Sequence, residues 1–202
     1  MEDRIARVIS YLFHPMLMPV YILILLLNLG SDFASNIPFK SKAAITGIMI
    51  FITILMPLVV TGFLYRMKMI SSFYLEKQEE RIYPLVIIGI FYYLAYYLLK
   101  GSHIYPVFSL YMLGSTLLIV FALVTTFYRK ISLHMIGLGG LTGLLLGFSQ
   151  HLDRMPYLLY GAVLLSGIVG SARLKTGAHK SSEIYSGFLM GAVVMFLLSS
   201  RV

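Results

Sequence analysis

The sequence predicts an all-α protein, a polytopic membrane bundle of six to seven transmembrane helices. Three observations lead there. Of the 202 residues 59% are hydrophobic and only 12% charged, and the mean hydropathy is +0.87, whereas soluble domains carry about twice that share of charge. Seven apolar runs, at 8–29, 43–65, 83–99, 105–127, 132–149, 156–172 and 183–200, approach the roughly 20 residues that cross a bilayer as helix. Lipid also admits only backbones that satisfy their own hydrogen bonds, which favours helices linked by short polar joins. The expectation is one integral membrane domain over 1–202, with no separate aqueous domain.

The first run follows a basic start that could mimic a signal peptide. Its length and the lack of a small-residue cleavage pattern favour a membrane helix, kinked at Pro15 and Pro19. The second run, 43–65, ends in Arg66 and Lys68 and leads into the longest polar join. The third and fourth, 83–99 and 105–127, are separated by a few residues around Lys100. The fifth begins at Ser132, and its Gly139, Gly143 and Gly147 form a small-xxx-small ridge suited to close helix packing. The sixth and seventh flank the polar stretch "RLKTGAHKSSEIYSG", residues 173–187.

Composition narrows the function classes. No cysteine is present, which excludes disulfides and thiolate metal sites. Tryptophan is also absent, and the 15 tyrosines are left to supply interfacial aromatics. A net charge of +8 suits anionic headgroups or a phosphorylated substrate, and its scatter among short joins suggests no nucleic-acid partner.

Seven crossings put the joins 66–82, 128–132 and 173–182 on one face, with Arg4, Arg7, Arg66, Lys68, Lys77, Arg81, Arg129, Lys130, Arg173, Lys175 and Lys180. The other face holds Lys40, Lys42, Lys100, Arg154 and Arg201. The positive-inside rule alone makes the first face cytoplasmic. Setting aside Lys77, Arg81, Lys130, Arg173, Lys175 and Lys180 as site candidates leaves five cations on each face, and the orientation stays open.

Three blocks on the richer face could carry chemistry. In the first, Arg173, His179 and Glu183 follow R-x5-H-x3-E; His179 and Glu183 are one helical turn apart, so the carboxylate can fix a tautomer and stabilise an imidazolium. The alternative is an interfacial histidine beside an end-of-helix glutamate. In the second, Ser132 and His134 open the fifth run, where a hydroxyl and first-turn N–H groups could hold an anion; an ordinary N-cap is the plain alternative. In the third, "EKQEERIYPL" (76–85), Lys77 and Arg81 would be one turn apart if helical, repelling unless an anion lies between them. A solvated helix compensated by Glu76, Glu79 and Glu80 is the alternative.

Together these blocks resemble the type 2 phosphatidic acid phosphatase (PAP2) superfamily of membrane lipid phosphatases, whose motifs run K-x6-R-P, P-S-G-H and S-R-x5-H-x3-D. Arg173, His179 and Glu183, followed by Ile184 and Gly187, match the third motif, with Glu for Asp and an Ala inserted after Ser171. Ser132-Leu133-His134 retains the second without its Pro and Gly. The first survives as Arg81, with Pro84 displaced and Lys77 four residues before the arginine instead of seven. The motif-bearing core covers about 66–200. Family members usually show six helices, and the two apolar runs between the first and second motifs here depart from that topology.

The resemblance implies a metal-independent hydrolase of a lipid phosphate or diphosphate, without a cofactor, in a bacterial cytoplasmic membrane. It makes His179 the nucleophile that forms a phosphohistidine, Glu183 its orienting carboxylate and His134 the proton donor. Lys77, Arg81, Ser132 and Arg173 would bind the phosphate. The rival expectation is a non-catalytic lipid-phosphate binder or transporter with a PAP2-like fold. No H-E-x-x-H zinc helix, aspartate-rich prenyltransferase motif or G-x-S-x-G elbow supports another enzyme class.

Overall fold

A computed structural model describes residues 2–29, 34, 36–71, 79–101, 106–149 and 155–200. Nine α-helices are described: α1 Glu2–Leu12, α2 Met18–Asn28, α3 Phe39–Ile50, α4 Met56–Arg66, α5 Ile82–Gly101, α6 Pro106–Thr126, α7 Leu133–Phe148, α8 Met155–Lys175 and α9 Ser181–Ser199. No strand occurs among the described residues. Five helical stretches are long and apolar enough to cross a membrane: Phe39–Arg66, Glu79–Gly101, Pro106–Thr126, Pro156–Lys175 and Ser181–Ser199. The chain is thus a helical membrane protein. Two shorter apolar helices, α2 and α7, have 11 and 16 residues, or about 16 and 24 Å at the usual rise.

The first apolar run is interrupted outright, where the sequence suggested a kinked helix. Pro15 biases His14 away from helical geometry and has no N–H to continue the ladder. The chain instead makes a turn, with the Leu17 N–H donating to the His14 carbonyl at 2.9 Å. Pro19 then falls in the first turn of α2, where a missing N–H does no harm. On α1, Ala6 and Ser10 are buried while Ile5, Val8 and Leu12 are exposed.

Phe39–Arg66 is continuous over 28 residues, yet passes through a π-helical turn at Phe51–Leu55. Pro57 explains it. A proline ring clashes with the carbonyl four residues earlier, and widening the turn relieves the clash without breaking the helix.

The chain divides into two compact units, residues 1–19 with 131–202, and residues 20–130. In the second, α5 packs along α6 and against the π-turn, and the Lys42 ammonium donates to the Leu27 carbonyl at the end of α2 (2.6 Å). In the first, α7 is the central helix: it lies along α9 and contacts α8, while α1 packs on α8. The buried face of α7 includes Leu138, Leu144, Leu145 and Phe148.

The α7–α9 contact is one of backbone on backbone. A Cβ at Gly139 would run into the Phe188 carbonyl, one at Gly143 into the Ala192 carbonyl, and one at Gly191 into the Ile136 carbonyl. The ridge read from the sequence therefore faces α9. Between apolar helices in lipid, such close packing is the main source of association. Gly143→Val should destabilise the folded protein by roughly 1–3 kcal/mol through overpacking, read as a lower thermal midpoint in detergent. Gly161→Ala and Gly167→Ala, where an added Cβ meets nothing within 4 Å, should leave the midpoint unchanged or raised.

Candidate active site

The first unit gathers the first and second sequence blocks at one end of α7 and α9. Helix α8 ends with Arg173 and Lys175 in its last turn, where cations oppose the carbonyl end of the helix dipole. The chain reverses through Gly177, at φ +66°, a left-handed conformation that glycine adopts without penalty. It re-enters helix at Ser181. His179 lies just before α9 and Glu183 in its first turn, where a carboxylate is favoured.

That short return brings the imidazole against the carboxylate. His179 Nδ1–H donates to Glu183 Oε2 at 2.7 Å, with side-chain exposures of 4% and 16%. Such a pair is shielded enough for its charge interaction to matter, unlike a surface ion pair. With Nδ1 carrying the proton, the lone pair of the neutral ring lies on Nε2.

The start of α7 is tied to the start of α9. The Ser132 N–H donates to the Glu183 carbonyl at 3.3 Å. Gly187 permits the approach, since a Cβ there would come within 2.8 Å of the Ser132 carbonyl oxygen. Ser132 occupies the N-cap position of α7 but makes no side-chain cap bond. Its hydroxyl is buried and has no hydrogen-bond partner among the described residues. A buried hydroxyl left in that state costs about 1–3 kcal/mol, so the plain capping role does not account for this side chain.

His134 is buried beside it. Its Nε2–H donates to the Ser10 carbonyl at 3.0 Å, which leaves the lone pair of the neutral ring on Nδ1. The Arg173 guanidinium and the His179 ring both lie within electrostatic reach of His134. The residues that converge are therefore Ser132, His134, Arg173, His179 and Glu183, all within one unit. Arg81 belongs to the other unit and ends a short 3-10 turn, Glu79–Arg81, ahead of α5. Glu80, one of the carboxylates expected to compensate the cations there, accepts from the Ser71 N–H and hydroxyl, each at 2.9 Å. Lys77 lies outside the described residues.

One participant was missed in the sequence. His14, in the turn between α1 and α2, meets His134 edge to face, with ring centroids 5.8 Å apart and planes at 78°. Its Nδ1 accepts from the Met16 N–H at 3.3 Å. Burial, and then the Arg173 cation, holds its pKa below the ordinary histidine value, yet the side chain remains open to solvent. The imidazole is thus partly enclosed by protein and still accessible beside His134. The available signal was a histidine directly before a proline inside an apolar run, a position where an imidazole needs a partner.

No protein-family model matches the chain, and no significant match appears among curated proteins or solved structures.

Ser132→Ala separates capping from ligand binding. A capping serine lost to alanine costs about 1 kcal/mol. Here the thermal midpoint in detergent should hold or rise, because the substitution removes an unsatisfied hydroxyl and no cap bond.

Proposed function

We propose that the chain is a membrane lipid phosphatase, with a PAP2-like core of six to seven spans, that removes phosphate from a lipid phosphate or diphosphate through a phosphohistidine. Phosphatidate, phosphatidylglycerophosphate, isoprenoid diphosphates and lipid A type phosphates are the candidate substrates. The observation that carries the reading is the shielded His179–Glu183 pair, beside Ser132 with its unpartnered buried hydroxyl.

In this reading His179 Nε2 attacks phosphorus in line. The P–O bond to the lipid breaks as the P–N bond forms, and Glu183 stabilises the positive charge that the ring acquires. The departing alkoxide takes a proton from His134. The Ser10 carbonyl holds the Nε2–H of that ring, so the donor is the imidazolium and the proton that moves is a second one, delivered to Nδ1 by the substrate phosphate bound as its monoanion. His134 then takes a proton from water, the resulting hydroxide displaces the histidine, and inorganic phosphate leaves. Arg173 and the Ser132 hydroxyl serve the equatorial oxygens, the electrostatic task that dominates phosphoryl transfer. Among the described residues no three His, Cys, Asp or Glu side chains gather as a metal-binding group, and the reading uses none.

The test is release of inorganic phosphate by the purified protein from a panel of lipid phosphates. Turnover should survive EDTA and be blocked by vanadate, which imitates the pentacoordinate transition state. His179→Ala should abolish both turnover and phosphohistidine, a loss of at least roughly a thousandfold. Glu183→Gln should retain more, since it keeps a hydrogen bond and loses only the charge. His134→Ala should slow lipid substrates far more than an aryl phosphate, whose leaving group needs no proton. A protein that turns over nothing, yet binds lipid phosphate less tightly after Arg173→Ala, is the non-catalytic binder instead.

A further inference from the structure

We infer that His14 is a positioning residue for His134, and that the end of α1 with its following turn, residues 10–14, is a clasp that sets which nitrogen of His134 exchanges a proton. Its kinetic consequence rests on the phosphatase reading; its geometry does not.

Two contacts from one short segment define the clasp. The Ser10 carbonyl accepts from His134 Nε2–H at 3.0 Å, and the His14 ring stands at 78° to the His134 ring, 5.8 Å away. The first contact is available because the helix stops. In a continued α1 the Ser10 carbonyl would accept from the His14 N–H. That N–H instead donates to Tyr11, at 3.3 Å, and Pro15 ends the helical ladder beyond it. The carbonyl released in this way fixes one ring nitrogen. A single hydrogen bond still allows an imidazole to swing about its axis, and the edge-to-face contact with His14 removes that freedom.

His14 is itself oriented. Its Nδ1 accepts from the Met16 N–H at 3.3 Å, inside a turn closed by the Leu17 N–H on the His14 carbonyl. The shape of the turn thus passes to His14, and from His14 to His134. On the other side the α7 start is anchored to α9 through Ser132 and Glu183. His134 is therefore held from both sides with Nδ1 as its proton-exchanging atom. None of the sequence motifs includes Ser10 or His14, and more than a hundred residues separate them from His134.

The test compares His14→Ala and His14→Phe in the purified full-length protein, with phosphatidate in mixed micelles and 4-nitrophenyl phosphate as substrates. His14→Ala should lower kcat on phosphatidate roughly tenfold with little change in KM, and affect 4-nitrophenyl phosphate far less, because a loosened proton donor harms only the poor leaving group. His14→Phe keeps an aromatic edge without a titrating group and should restore most of the loss. Wild-type kcat in His14→Ala, or no rescue by folded His14→Phe, overturns the proposal. If the wild type releases no phosphate from either substrate, the phosphatase reading has failed, and the clasp is judged by imidazole 15N NMR. The neutral His134 ring should then show one tautomer, protonated on Nε2, that becomes a mixture in His14→Ala. A wild-type His134 protonated on Nδ1 overturns it.

Discussion

The contact between α7 and α9 governs what the rest of the first unit can do. Two helices whose backbones touch must present glycine to each other, and they do so at Gly139, Gly143 and Gly191, with Gly187 at the end of the seam. Separation of the two axes by even one methyl group would lengthen the Ser132–Glu183 backbone bond. It would also draw the His179–Glu183 pair away from the start of α7. The seam is apolar and chemically inert, yet it sets the spacing of every polar group beyond it.

At the end of that seam the chain collects polar chemistry that lipid would otherwise penalise heavily. Each imidazole there has a defined partner: a carboxylate for His179, a main-chain carbonyl for His134, a main-chain N–H for His14. These partners fix a tautomer for each neutral ring, so His179 and His134 become distinguishable by local hydrogen bonding alone. The Ser132 hydroxyl is buried there and has no hydrogen-bond partner among the described residues.

Local pattern carried most of what the sequence revealed. Runs two to seven lie where helices form, because about twenty apolar residues between polar joins have few other solutions. The histidine–carboxylate contact was legible from its one-turn spacing, and the glycine ridge from its four-residue period. The failures are of two kinds. The first run breaks at Pro15 instead of bending, since local turn bonds and the His134 contact to the Ser10 carbonyl replace the lost ladder bonds. The part played by His14 depends on contacts far apart in the chain, which no periodicity encodes. The π-turn before Pro57 is intermediate, because the proline is visible and the widening that accommodates it is not.

The two units differ in how the chain supplies them. Residues 20–130 are contiguous, whereas the first unit joins residues 1–19 to 131–202 across that whole stretch. On the ribosome the second unit can therefore consolidate while α1 is still without α8, the helix it packs against. The cluster of His14, His134 and His179 comes together only after α8 and the start of α9 have been made. Biogenesis thus withholds this cluster until the residues through Glu183 have been translated.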